Sequence, residues 1–428
     1  MRVLMFTYGS RGDVQPFVAL GATLRAAGHQ PVLAAPARFS QLAAEHRIAF
    51  VPLPGDIEHL TRQIADEARG RPLRLISIIY RFALPLGAEV ARRIRHAAKS
   101  ADLIVHTFLT VALGHLYAQH YGIPECAVDL FPFFDPPAEL ANLMWPTTRM
   151  DFRWRRLSHV FAHRVFRASQ SVTYHILRQL NPDIGPPRLP WAAPGRAIPL
   201  LLAYSKALVP PGTAPLSRQT GPWYLHQPHW QPPPDLANFL ASGPPPVVVS
   251  FGSMASREAP RMATIIIETL RRTGQRGIVQ HGWSNLLPKW TPDYIYLAGD
   301  IPHDWLLPKA AAMIHHGGAG TTAAALRAGL PAVIVPFAAD QPFWAWRAHL
   351  TGANPAPLPV GELTVERLSA ALQQALSPTH RARAADIARQ MRSEGGVMAA
   401  VEQLEQWVTR QLHLARGECF VGDSKGAQ

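Results

Sequence analysis

Cysteine, lysine and long apolar runs are all scarce in this chain of 428 residues. Only Cys126 and Cys419 are present, and neither stands at metal-ligand spacing, so no disulfide framework and no zinc site is expected. Lysine occurs five times, and the formal net charge of +13 therefore rests almost wholly on arginine. Such an excess reflects either genomic base composition or attraction to anionic partners such as phosphates and acidic lipid headgroups. No apolar run approaches the ~18 residues of a membrane-spanning helix. Charged residues make up 17% and hydrophobic residues 48%, which excludes a disordered chain. The length exceeds what one hydrophobic core usually serves, so two domains are expected. At the N-terminus Val3-Leu4-Met5-Phe6 runs straight into a glycine loop, unlike a signal peptide. A cytoplasmic protein, with peripheral contact to an anionic membrane left open, is the expectation.

What is present in abundance is small residues at one place. His315-His316-Gly317-Gly318-Ala319-Gly320-Thr321-Thr322 lets a backbone approach a ligand closely. The helix-forming run Ala323–Ala328 follows, stopped by Gly329 and Pro331. Free N–H groups, a threonine hydroxyl and the positive end of a helix dipole around one spot suit a phosphate. Next comes Ala332-Val333-Ile334-Val335, a buried strand by composition, with Asp340-Gln341 just beyond its C-terminal end. Open α/β sheets bind ligands at such ends, and a carboxylate beside an amide suits sugar hydroxyls.

The first half opens with strand Val3–Thr7, turn Gly9–Gly12, helix Pro16–Ala27 and strand Gln30–Ala35, which is a βαβ unit with a parallel sheet. Pro16 fits a first helical turn and Gly28 a C-cap. Leu103–His106 and Glu125–Asp129 read as further strands. Gly185–Pro246 is proline-rich and contains the interdomain connection. A second αβ series begins at Val247–Ser253 and continues through Gly277–His281, Ile295–Ala298, Ala312–His315 and Ala332–Val335. Two doubly wound Rossmann-like α/β units are thus expected, residues 1–215 and 216–395. Residues 396–428 supply a last amphipathic helix, Met398–Arg416, and a tail.

The segment from about Ile301 to Asn354 resembles the donor-binding motif of the family 1 glycosyltransferases, nearest to the branch of sterol 3-β-glucosyltransferases and glycopeptide-antibiotic glycosyltransferases. Tyr8-Gly9-Ser10-Arg11-Gly12-Asp13-Val14-Gln15-Pro16 is similar to the opening loop of the same branch. The resemblance implies the two-lobed GT-B architecture, with the last helix crossing back onto the first lobe. It implies an inverting transfer of a hexose, with glucose expected, from UDP to a hydroxyl of a lipophilic acceptor, giving a β-glycoside. By spacing alone Asp13 is either a base at a strand end or the N-cap of the following helix. The resemblance favours the base. His316, Ala319, Gly320 and Thr321 would hold the diphosphate, with Ser10, Arg11 and Gly12 closing from the other lobe. Gly252 and Ser253 correspond to donor contacts. Ile301 and His303 occupy the base- and ribose-binding position, where Asp300 replaces a stacking tryptophan. Trp283 is read as core packing.

The acceptor belongs to the first lobe, where the resemblance fades. Leu73–Phe82, with Ile79, is unusually apolar, and Phe131-Pro132-Phe133-Phe134 follows a strand end. Phe131, Phe134 and Ile79 are the candidate acceptor contacts. Met150, Trp154, Leu157, Phe161 and Val165 fall at helical spacing among arginines, which fits a membrane-surface helix or a core stripe with solvated arginines. No Asp-x-Asp pair stands at a strand end, so no metal and no cofactor is expected, the sugar nucleotide being a substrate. No nucleic-acid partner is expected. Rival readings are a dTDP-deoxysugar transferase making a glycolipid or antibiotic, a nucleotide-sugar epimerase, and a non-catalytic nucleotide-binding protein.

Overall fold

The computed structural model describes residues 1–55, 87–137, 139–140, 152–180, 183–185, 192–227, 230–252, 259–280, 292–337 and 339–415. Two parallel sheets carry the architecture. The first has seven strands in the order β3-β2-β1-β4-β5-β6-β7: β1 Arg2–Phe6, β2 Gln30–Pro36, β3 Ala49–Leu53, β4 Leu103–Thr107, β5 Glu125–Asp129, β6 Leu200–Leu202 and β7 Ser217–Gln219. The second has five, in the order β10-β9-β8-β11-β12: β8 Val247–Ser250, β9 Gly277–Gln280, β10 Ile295–Ala298, β11 Ala312–His315 and β12 Ala332–Ile334. Every pairing is parallel; Leu4, for example, lies opposite Val32 on one side and Ile104 on the other. Parallel strands covered on both faces read as continuous apolar runs, and Val247-Val248-Val249 and Leu200-Leu201-Leu202 are buried throughout. This is the two-lobed GT-B fold.

The strand order reverses at β1/β4 in the first sheet and at β8/β11 in the second. At each reversal the two neighbouring connections leave on opposite faces and open a crevice beyond the strand C-termini. The Gly9–Asp13 turn and the His316–Thr321 turn leave the two reversals.

Three expectations need correction. The first helix is Arg11–Ala26, so Pro16 lies in its interior and not in its first turn. Ser10 caps this helix: its carbonyl accepts from Asp13 N (3.0 Å) and Val14 N (3.2 Å), starting the spiral five residues before the proline. The connection is also more regular than its prolines imply. It contributes β6 and β7 to the first sheet, and β7 lies beyond the division expected at residue 215. Each strand has only three residues, too few to show a period.

The lobes share apolar packing. One cluster runs from Ala127, Leu200 and Tyr204 of the first lobe to Trp344, Phe343 and Ala348 of the second. Arg347 Nε donates to Leu208 O at 2.6 Å, and Tyr224 Oη donates to Ala323 O at 3.1 Å. The last helix, Gly396–Ala415, packs on the first lobe through Ala400, Val401, Leu404 and Val408, and His29 Nε2 lies 2.8 Å from Glu405 Oε1. Leu404 is fully buried, and its truncation leaves a cavity in that core. Leu404→Ala should cost about 2–5 kcal/mol, read as a lower denaturation midpoint in chemical unfolding; an unchanged midpoint would show that the helix is not docked there.

Candidate functional site at the interlobe cleft

Asp13 occupies the third position of the first helix. Its Oδ2 accepts from Ser10 N at 2.7 Å and Ser10 Oγ at 3.0 Å, and Thr7 Oγ1 donates to its backbone carbonyl at 3.1 Å. The carboxylate is therefore a cap, and it is also more than a cap. Oδ2 folds back over Gly9, which has φ +151° and no room for a β-carbon beside Asp13. Both hydrogen bonds from Ser10 fall on Oδ2. Withdrawal from water raises the carboxyl to about 6 against the pull of the Ser10 hydrogen bonds, and the Asp340 carboxylate of the other lobe pushes it the same way. A half-buried carboxylate near neutrality is poised to take a proton.

The second lobe presents donors to the same cleft. The Ala319–Arg327 helix has Gly318 as N-cap, and its first return bond runs from Thr322 N to Gly318 O at 2.9 Å. The N–H groups of Ala319, Gly320 and Thr321 are thus the unbonded first turn of a helix. This helix starts four residues earlier than its alanine run, since the small residues before Ala323 join the first turn. His316 lies against Gly252, and a β-carbon on Gly318 would sit 2.6 Å from its Nε2. Burial drives the His316 imidazole down to about 4, so it enters as a neutral donor. His315, one residue earlier, is fully buried, and its Nδ1 accepts from Gly317 N at 3.0 Å. It shapes the turn and stays out of the cleft.

Gln280, at the end of β9, was not singled out from sequence. Its Nε2 donates to Ile301 O at 3.0 Å, and its Oε1 lies 3.2 Å from His303 Nε2. Ile301 and His303 are therefore brought together by one amide, and burial lowers His303 to about 4. Asp340 is the N-cap residue of the Gln341–Leu350 helix, but its side chain does not cap; Oδ2 accepts from Trp344 Nε1 at 2.8 Å. Gln341 lies beside it. It is 7% exposed, and its Oε1 accepts from Phe337 N at 2.8 Å, so it holds the loop that carries Asp340. Arg11 spans the lobes: its guanidinium bridges the cleft to Asp300 Oδ2 at 2.6 Å and reaches Gln15 Oε1 at 2.9 Å. Both partners are exposed, so the pair is worth little energy but marks the lobes as facing.

Phe131 and Phe134 stand at the end of β5 in an aromatic cluster with Phe108, Phe133 and Phe166; Phe108 lies 5.6 Å from Phe131 and 4.8 Å from Phe166. Asp129 secures this turn, its Oδ2 accepting from Phe134 N at 2.8 Å and Phe133 N at 3.2 Å. Phe108 follows β4 directly and was legible as a strand-end aromatic; Phe166, on a distant helix, was not. Ser253, Ile79 and Trp283 lie outside the described residues. Among the described residues no group of three or more His, Cys, Asp or Glu has metal-binding geometry.

Residues 3–87 match the family model for the glycosyltransferase family 28 N-terminal domain, and residues 279–406 match that for the erythromycin biosynthesis protein CIII-like C-terminal domain. Over 432 residues the chain is 33% identical to the O-mycaminosyltylonolide 6-deoxyallosyltransferase of Streptomyces fradiae, covering 95% of this chain and 97% of that protein. The chain belongs to this glycosyltransferase family. It is also 32% identical over 428 residues to a sterol 3-beta-glucosyltransferase of Arabidopsis thaliana, of which it spans 65%. The solved glycosyltransferase VinC, in complex with DTDP, shares the fold at TM-score 0.66 and 20% identity, covering 96% of this chain and 100% of that one.

For this glycosyltransferase the crowding at Gly318 gives a direct test. Its backbone (φ −60°, ψ 145°) tolerates alanine, so Gly318→Ala should fold normally while displacing the His316 ring. Calorimetric titration with UDP should show affinity reduced roughly tenfold, the scale of one hydrogen bond to a charged group. Unaltered affinity would place the diphosphate elsewhere.

Proposed function

We propose that this chain is an inverting glycosyltransferase that moves a hexose from a UDP-sugar to a hydroxyl of a lipophilic acceptor. The observation that carries the reading is the opposition of Asp13, held near neutrality on one lobe, to a helix N-terminus and His316 on the other. The diphosphate would rest on the N–H groups of Ala319, Gly320 and Thr321 and on His316. Ile301 and His303, fixed by Gln280, would receive the base and ribose. Asp13 Oδ1 would take the acceptor proton as oxygen attacks the anomeric carbon from the face opposite the departing diphosphate, which inverts that centre. Asp340, with one oxygen tied to Trp344, would accept from the sugar hydroxyls. The aromatic turn at Phe131–Phe134 would receive an apolar, polycyclic acceptor, in keeping with the names of the sterol and macrolide-type relatives.

A second reading has a specific support. The deoxyallosyltransferase is matched along 97% of its length, and a dTDP-deoxysugar donor would fit the same anion site. A panel of UDP- and dTDP-sugars with sterol and macrolide acceptors, read by mass spectrometry, separates the two.

Asp13→Asn should reduce turnover about 10²–10⁴-fold with UDP affinity near wild type. Retention of most of kcat would leave Asp13 as the helix cap alone. Asp340→Ala should lower kcat/KM for the preferred sugar by about 2 kcal/mol and blunt discrimination between epimers, again without weakening UDP. A variant that loses thermal stability but keeps its sugar preference would assign Asp340 to holding Trp344. Because the diphosphate is assigned to N–H and imidazole donors, activity should survive EDTA; strict dependence on Mg²⁺ would contradict that assignment.

A further inference from the structure

The long helix Phe152–Leu180 is turned the unexpected way round. Its inward face is polar at Ser158 and His159, both buried, while Leu157, Val160, Phe161 and Val165 are 54%, 42%, 57% and 38% exposed. The inward histidines have a purpose. His163 Nε2 donates to Phe133 O at 2.7 Å and His159 Nε2 to Leu140 O at 2.8 Å, while Phe166 stacks on Phe108. That face fastens the helix to the aromatic turn. The apolar residues on the opposite face are exposed to this degree at 3–4 residue spacing, which makes one stripe of them.

Charge identifies what the stripe fits. Residues 152–180 contain six arginines and no Asp or Glu. Arg164 falls within the stripe by helical spacing and Arg167 at its edge, and both are exposed. The acid that follows in the described residues, Asp183, is paired with Arg95. An apolar stripe with arginine within it and at its edge, on a helix too polar to span a bilayer, is the pattern of a helix lying in a lipid–water interface. Arginine stems extend over apolar surface while their heads reach phosphate. A second copy of the chain is disfavoured, because a two-fold contact would set this arginine-rich face against itself.

We propose that the outer face of the Phe152–Leu180 helix docks on an anionic lipid bilayer, holding the aromatic turn of the cleft close to the membrane. This stands independently of which sugar or nucleotide the cleft takes, and is tested without activity. The full chain would be co-sedimented with phosphatidylcholine vesicles with and without phosphatidylglycerol. Binding is expected only with phosphatidylglycerol and should weaken with salt. Arg164→Gln with Arg167→Gln should weaken it roughly fivefold per charge. Leu157→Ser with Val160→Ser and Val165→Ser should weaken it at least about tenfold, with an unchanged circular dichroism spectrum and Tm. If the serine variant is misfolded, the arginine pair, which removes no packing, decides. The proposal is overturned by absent binding to anionic vesicles, by equal binding to neutral ones, or by binding that both variants retain. It is also overturned if sedimentation shows a dimer that the serine variant abolishes and vesicles do not bind.

Discussion

Partial withdrawal from water of the titratable groups that line the crevice between the two lobes is the constraint on which the site depends. It raises the carboxyls of Asp13 and Asp340, and it lowers the imidazoles of His303 and His316. All four shifts disfavour charge, and all four groups surround one space. Such a space strengthens every dipole aimed into it, because the local dielectric is low and the dipoles are already oriented. On the proposed reading the helix terminus at Ala319–Thr321 would then serve as an anion site without any side-chain charge, and Asp13 as a base matched to neutral pH.

Two features of the scaffold place these groups. The reversals of strand order put a glycine turn at the end of β1 and another at the end of β11, each feeding a helix. The shared apolar seam through Tyr204 and Trp344, together with the last helix on the first lobe, sets one reversal against the other. Trp344 joins both roles: it packs in the seam and its indole N–H holds Asp340. The carboxylate proposed to face the sugar is thereby tied to the same residue that packs between the lobes.

Much of this was legible in the sequence, and the reasons are local. Buried parallel strands such as Val247–Ser250 announce themselves as apolar runs, and the glycines at 9 and 317 mark turns that no other residue enters easily. The resemblance at both ends of the chain supplied the pairing of lobes, which no periodicity contains. What escaped was long-range or depended on direction. The Ser10–Asp13 cap started a helix ahead of its proline, β6 and β7 were too short to show a period, and Gln280 took its meaning from Ile301 and His303 beyond the next strand. Gln341 had the right chemistry for a sugar, but its carbonyl oxygen was claimed by the backbone of its own loop. The Phe152–Leu180 helix had a clear stripe, yet spacing alone could not say which face looks outward.

The pH dependence of kcat/KM tests the central claim most directly, since it reports essential groups of the free enzyme. The account predicts an acid limb near pH 6, with activity falling as Asp13 is protonated, and a shift of that limb to lower pH in Asp340→Asn, where the opposing carboxylate is removed. Asp13 and Asp340 titrate as interacting groups, so the limb belongs to the pair and its movement is the informative quantity. Absence of a limb between about pH 5 and 7, or a limb that stays in place when Asp340 is neutralised, would contradict the picture of two half-buried carboxyls interacting across the cleft.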